Sequence, residues 1–234
     1  MGRRRKGDAV SGWLNLDKPR GPGSTWAVGR VRRAFNAQKA GHAGTLDPLA
    51  SGVLPIALGE ATKTVSFLMD ADKAYRFTVR WGVETASFDE EGAVTATGDE
   101  RPTSPAIRAA LGGFIGEIDQ EPPAFSAVKV GGERAYDLAR EGRAVPLQAR
   151  KVVIHDARLV AIPDVDHATF EIECGKGTYV RALVRDLALR LSVRAHVAEL
   201  RRTRVGPFSE STAIALESLE SLCHRGAPLE ALLP

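Results

Sequence analysis

Cysteine is scarce in this 234-residue chain: Cys174 and Cys223 are its only two, too few for a disulfide framework. No apolar run approaches the ~18 residues that a membrane-spanning helix requires. Ala9–Leu16 follows a basic start but is too short and polar for the core of a signal peptide. A cytoplasmic protein without a membrane partner is therefore expected. Metal-ligand spacing is also missing. His42, His155, His167, His196 and His224 stand apart, and neither cysteine has a CxxC neighbour, so no metal is expected. There is no GxSxG or GxGxxG. Gly175-Lys176-Gly177-Thr178 fails as a phosphate loop, because Phe170 stands where glycine is needed and Gly177 where serine or threonine is needed.

What is present is ordinary in amount and uneven in placement. The hydrophobic share of 44% and the charged share of 26% fit a globular chain able to bury a substantial core. The net charge is only +3, but Arg3, Arg4, Arg5 and Lys6 open the chain. From Lys18 to Gly59 six Lys or Arg residues accompany a single acid, Asp47. Seven arginines fall between Arg181 and Arg204. Basic segments folded side by side would make a surface for phosphates, whereas taken singly each reads as a solvated helix face. Glu84–Glu100 carries six acids and no base, without the spacing of a calcium loop, and reads as a solvated loop.

Periodicity outlines the elements. Residues 1–11 read as a disordered basic tail. Trp13, Leu14 and Leu16 suit a short strand, and Pro19–Gly23 a loop. Ser24 or Thr25 is placed to cap a helix running to about Phe35. Residues 41–52 hold three glycines and a proline, which disfavour a regular element. Val53–Leu58 is a compact apolar run, and Ala61–Met69 suits a short helix. Tyr75, Phe77, Val79 and Trp81 alternate with polar residues, as a strand with one buried face does. A helix is expected after Ser104 and Pro105. Residues 120–150 read as an excursion with a helical stretch near Ala135–Glu141. Val152–Val160 and Ala168–Cys174 read as strands, the latter turning Ala168, Phe170, Ile172 and Cys174 inward. Val180, Leu183, Val184, Leu187 and Leu191 form the stripe of a strong helix starting near Thr178. A last helix is expected over Ala213–Leu222. Paired strands follow one another directly, which predicts α+β with a mixed, mostly antiparallel central sheet flanked by helices.

Several residues could carry chemistry. Asp47 is a lone acid among cations on a loop stiffened by Gly44, Pro48 and Gly52; it suits a nucleophile or base, and equally an Asp-Pro turn. Arg181 falls in the first turn of its helix, where a cation opposes the helix dipole. An anionic partner, either Asp47 or an RNA phosphate, would explain it; so would a stem packed on the surface. Tyr75 and Tyr179 suit stacking on an extruded nucleobase or a place at the core edge. His42 suits a nucleic-acid contact or a turn.

At these residues the sequence resembles the TruB family of tRNA pseudouridine synthases. The likeness runs from about Gly12 to Leu222. It begins at Leu16-Asp17-Lys18-Pro19 with Gly21. It is most specific over Gly41-His42-Ala43-Gly44-Thr45-Leu46-Asp47-Pro48-Leu49-Ala50-Ser51-Gly52-Val53-Leu54-Pro55, followed by Gly59-Glu60-Ala61-Thr62-Lys63. It continues at Lys73-Ala74-Tyr75-Arg76, Pro122-Pro123-Ala124-Phe125-Ser126-Ala127-Val128-Lys129, Gly175-Lys176-Gly177-Thr178-Tyr179-Val180-Arg181, and Ala195-His196-Val197 with Leu200-Arg201-Arg202.

The resemblance implies a pseudouridine synthase fold with a catalytic cleft. It implies isomerisation of the uridine at position 55 in the tRNA T-loop, without a cofactor, by a monomer. Asp47 matches the catalytic aspartate, Tyr75 the tyrosine that stacks on the target base, and Arg181 the arginine that pairs with the aspartate. His42, Tyr179 and Leu200 match residues lining the substrate site. Lys18 and Arg202 are expected at the RNA, with Arg20, Arg30, Arg33 and Arg201 as further phosphate contacts. Residues 12–210 are then the catalytic domain, with 120–150 as a thumb that closes over RNA, and 211–234 a C-terminal helical segment. Family members commonly continue into a small PUA-like RNA-binding domain; this sequence ends at Leu232-Leu233-Pro234, where that domain would begin. Two rival readings are a non-catalytic RNA-binding or RNA-folding module and the same chemistry on a different RNA.

Overall fold

The computed structural model describes residues 7–126, 129–130, 133–134, 147–224 and 232. The chain divides into two compact units, one holding residues up to Tyr75 and from Arg201 onward, the other Arg76–Leu200. In chain order the elements are β1 (Gly12–Lys18), α1 (Ser24–Ala34), β2 (Ala40–His42), β3 (Ser51–Leu58), α2 (Val65–Asp70), β4 (Lys73–Trp81), β5 (Val83–Thr85) and β6 (Val94–Thr97). There follow α3 (Ser104–Gly112), β7 (Gly116–Gln120), β8 (Lys129–Val130), β9 (Glu133–Arg134), β10 (Arg150–Asp164) and β11 (His167–Cys174). The last are α4 (Val180–Leu191), β12 (Ala195–Val205), β13 (Phe208–Ser209), β14 (Ile214–Ala215) and α5 (Leu216–His224).

In the first unit, β3 is the organising strand. It pairs antiparallel with β1 from Gly12↔Leu58 to Lys18↔Gly52, antiparallel with β2, and parallel with the end of β12 through Arg201↔Ser51 and Arg202↔Gly52. Its run Val53, Leu54, Ile56, Ala57 and Leu58 is wholly buried, as a strand covered on both faces demands. Leu14 and Leu16 of β1 and Ala27 and Val31 of α1 complete this core. Strand β14 runs parallel to β1, and β13 returns antiparallel on β12.

In the second unit, β10 is paired antiparallel with β11 on one side and with β7 on the other. Beyond β11 lies β4, whose Phe77, Val79 and Trp81 point inward while Arg76 and Arg80 are exposed. Phe170 of β11 stacks on Phe77 at 5.3 Å and meets Trp81 edge-on at 6.3 Å. Ile107 and Leu111 of α3 and Val180, Leu183, Val184 and Leu187 of α4 are buried, as their helical spacing requires. Cys174 is fully buried.

The fold is thus α+β with a mixed, mostly antiparallel sheet, and four local expectations need correction. Gly7–Ser11 is not a disordered tail: the Asp8 N–H donates to the Asn36 carbonyl at 2.6 Å, and Gln38 N–H to the Asp8 carbonyl at 3.1 Å. Ala61–Met69 is broken into a 3-10 turn (Gly59–Thr64) and α2. Ala213–Ala215 is no helix, because Ile214 and Ala215 pair with β1, and the final helix starts at Leu216. The acidic run is not wholly solvated either: β5 and β6 form a hairpin whose turn carries Asp89 inside at 2% exposure. The helical stretch expected near Ala135–Glu141 lies outside the described residues.

Candidate active site

The loop between β2 and β3 carries Asp47, and its backbone is held on several sides by its own unit. Ser24, 3% exposed, donates its hydroxyl to the Leu46 carbonyl at 2.9 Å and accepts the Leu46 N–H at 2.8 Å. The sequence offers Ser24 or Thr25 as the cap of α1. The structure corrects that: Gly23 is the N-cap, and the Ser24 side chain serves the loop instead. On the other side of Asp47, the Pro48 carbonyl accepts the Gly21 N–H at 2.8 Å and the Lys18 ammonium at 3.4 Å. Lys18 Nζ also bonds the carbonyls of Pro19 at 3.0 Å and Pro22 at 2.7 Å. A tight turn follows, in which the Ala50 N–H donates to the Asp47 carbonyl at 3.1 Å. The Asp47 side chain itself is half-buried.

Arg202 reaches the same loop from β12. Its Nη2 donates to the Gly44 carbonyl at 3.1 Å, its Nη1 to Thr45 at 3.3 Å and its Nε to Val53 at 2.8 Å. Half-buried His42 ends β2 just before the loop. Burial, and then the positive charge of Arg202, hold its imidazole below the ordinary histidine value, so the ring is neutral at neutral pH. Tyr75, half-buried, lies on β4 in this unit.

Two expectations for the basic residues change here. Lys18 is fully buried and Arg202 is 1% exposed, and both spend their donors on main-chain carbonyls. Neither charge lies at the surface: all three N–H groups of the Lys18 ammonium and three of the five of the Arg202 guanidinium are turned inward to carbonyls, as the burial of a cation requires. Arg30 is ion-paired with Glu220, and Arg201 donates to Asp17 at 3.0 Å and Glu210 at 2.9 Å. Arg20 and Arg33 lie exposed.

The second unit holds Tyr179, Arg181 and Leu200. Tyr179 is the N-cap of α4, and Arg181 falls in the first turn at 4% exposure. Its guanidinium lies 3.4 Å from the Asp89 carboxylate, and it donates to the carbonyls of Ser87 at 3.3 Å and Phe125 at 2.8 Å. The anion that the position of Arg181 called for thus includes Asp89. The Glu91 N–H at 3.0 Å and the Ser87 hydroxyl also bond the Asp89 carboxylate. Gln120, 2% exposed, clamps the main chain of Tyr179: its Oε1 accepts the Tyr179 N–H at 2.8 Å and its Nε2 donates to the Tyr179 carbonyl at 3.2 Å. Arg185 donates to the Glu121 carbonyl at 3.1 Å, so the start of the 120–150 excursion is tied along α4. Leu200, 8% exposed, lies on β12. Ser24, Asp89 and Gln120 were missed by the sequence reading, since each acts on a residue 22 to 92 positions away. Nothing along Glu84–Glu100 set Asp89 apart from the other five acids of that run.

Comparisons with known proteins agree on the family. Residues 32–180 match the TruB family pseudouridylate synthase N-terminal domain, and residues 181–233 the tRNA pseudouridylate synthase B C-terminal domain. The chain is 67% identical over 234 residues to the tRNA pseudouridine synthase B of Caulobacter vibrioides, covering all of this chain and 76% of that protein. With the namesake protein of Agrobacterium fabrum it shares 57% identity, covering 98% of this chain and 74% of the relative. Among solved structures, a chain of the Cbf5-Nop10-Gar1 complex aligns at a TM-score of 0.75 and 34% identity, over 95% of this chain and 60% of that one. A chain of an H/ACA RNP bound to a substrate RNA containing 2'-deoxyuridine aligns at 0.73 and 28% identity, over 100% of this chain and 65% of that one. This chain therefore spans less than two thirds of either solved neighbour. The N-terminal match alone takes in more than half of the sequence and includes the loop of Asp47, and the chain belongs to the TruB family of pseudouridylate synthases.

Proposed function

We propose that this protein isomerises the uridine at position 55 of the tRNA T-loop to pseudouridine, with Asp47 as the catalytic carboxylate. The observation that carries the reading is the built loop: main-chain groups of Gly44, Thr45, Leu46 and Pro48, on both sides of Asp47, are bonded by Arg202, Ser24, Gly21 and Lys18. An Asp-Pro turn with no task would not need four separate residues to fix it. Preorganisation of this kind is what catalysis by position demands, since a carboxylate already aimed at its target has no ordering left to do in the transition state. The curated relatives at 57% and 67% identity bear the name of a tRNA pseudouridine synthase, which supports tRNA as the substrate.

The reaction breaks the N1–C1′ bond, turns the uracil and joins C5 to C1′. The C5 proton leaves and N1 gains one, so the product is an isomer and no redox carrier is called for. Asp47 acts on the sugar or base. Tyr75 stacks on the extruded base, with His42, Tyr179 and Leu200 as further walls, and Arg181 supplies the cation that orients the carboxylate. Extruding the base costs roughly a few kcal/mol, which phosphate contacts from exposed arginines such as Arg20 and Arg33 offset. The enzyme works as a monomer, in the cytoplasm, on the T-stem-loop.

The test is tritium release from tRNA carrying 5-tritiated uridine. Wild-type protein releases tritium, and Asp47→Ala and Asp47→Asn release none while still binding tRNA. No release by the wild type would leave an RNA-binding module, and full release by either variant would remove Asp47 from the chemistry.

A further inference from the structure

We infer that Arg202 is a positioning residue of the reaction: it fixes the backbone that presents Asp47 and makes no contact with RNA. The inference rests on the reading of Asp47 as catalyst. It begins from the strand that carries the arginine. Strand β12 runs parallel beside β3, with Arg202 opposite Gly52. Gly52 has φ 101°, and a Cβ there would lie 2.2 Å from the Arg202 carbonyl oxygen. Glycine therefore lets β12 close on β3 at this one register position, which puts the Arg202 side chain under the loop.

The three nitrogens of its guanidinium then serve three different carbonyls. Nε is spent on Val53 of β3, a rigid strand, while Nη1 and Nη2 are spent on Thr45 and Gly44, two and three residues before Asp47. The planar fork so transmits the position of the strand to the loop. Lysine could not do this, because its ammonium is a point donor without fixed directions. Gly44 itself has φ 99°, a conformation that frees its carbonyl to face the guanidinium. At 1% exposure, Arg202 could reach a phosphate only by abandoning three main-chain carbonyls, that of Val53 among them buried.

Positioning and phosphate binding predict different numbers. In single-turnover assays at saturating tRNA, Arg202→Met lowers the rate about 10²-fold, the penalty of a reacting group displaced by about 1 Å. Arg202→Lys, which keeps the charge, is also impaired and does not restore the wild-type rate. For both variants tRNA affinity stays within about twofold of wild type, and the slope of log affinity against log salt is unchanged. A phosphate contact would instead reduce that slope by about 0.9 and weaken binding while leaving the saturated rate intact. That result overturns the inference. So does a wild-type rate in Arg202→Lys, a variant that conserves charge and bulk and whose folding is checked by its thermal melt. Asp47→Ala is assayed in parallel. If it is inactive while Arg202→Met turns over normally, only the positioning role fails; if Asp47→Ala is active, the catalytic reading fails and this inference with it.

Discussion

Replacing Asp89 tests how Arg181 is held. Asp89 and Arg181 side chains are 2% and 5% exposed and lie 3.4 Å apart. At that separation and an effective dielectric of ~20, their attraction is about 5 kcal/mol. Removing one partner of a buried pair generally costs about 3–5 kcal/mol, because the other charge stays behind uncompensated. Asp89→Ala should therefore lower the melting temperature by roughly 6–20 °C, at ~2–4 °C per kcal/mol for a chain of this size. Asp89→Asn keeps acceptors for Ser87 and Glu91 and should lie between. The companion experiment is the apolar double variant Asp89→Leu with Arg181→Met. Burying matched hydrophobes in place of an ion pair is often neutral, so the double variant should melt well above Asp89→Ala. It should nevertheless be inactive in tritium release, since it lacks the cation proposed to orient Asp47. A melting temperature for Asp89→Ala within about 2 °C of wild type would refute the reasoning. So would an active double variant, which would leave Arg181 a merely structural charge.

Two further outcomes are expected. Gln120→Ala removes the acceptor of the Tyr179 N–H and leaves its carbonyl only the Leu183 N–H, at a cost of about 1–3 kcal/mol, and should lower the melting temperature and the single-turnover rate together; Gln120→Glu should be impaired as well, because it places a carboxylate oxygen against the Tyr179 carbonyl. His42 binds its proton less readily folded than unfolded, so the unfolded chain takes up more protons as pH falls below the ordinary value of 6.5. Wild type should lose stability relative to His42→Gln in that window, by at most about 1.4 kcal/mol per pH unit, and the two should run parallel above it. Denaturant melts at pH 5 and pH 7.5 check this, and parallel curves at both would show that the imidazole is not held neutral.

Alternation and helical spacing were enough to mark β4, β11 and α4 and their buried faces, because each of those patterns is written within one element. Phe77, Val79 and Trp81 can face a core only together, and so can Leu183, Val184 and Leu187. The acid most suited to chemistry was also visible, since Asp47 stands alone among cations on a glycine-proline loop. Partnerships were not visible. Ser24 looked like a helix cap and Arg202 like a phosphate ligand because, in sequence, a hydroxyl before a helix and an arginine in a basic run have those uses nearest to hand. Folding gave both side chains to carbonyl and amide groups of one loop. Buried Asp89 was likewise indistinguishable from its solvated neighbours until its hairpin brought it to Arg181. Sequence by itself determined which faces are apolar and which residue types are available. Tertiary structure alone decided which donor meets which acceptor, because a hydrogen bond depends on separation and direction in space, and neither is encoded by distance along the chain.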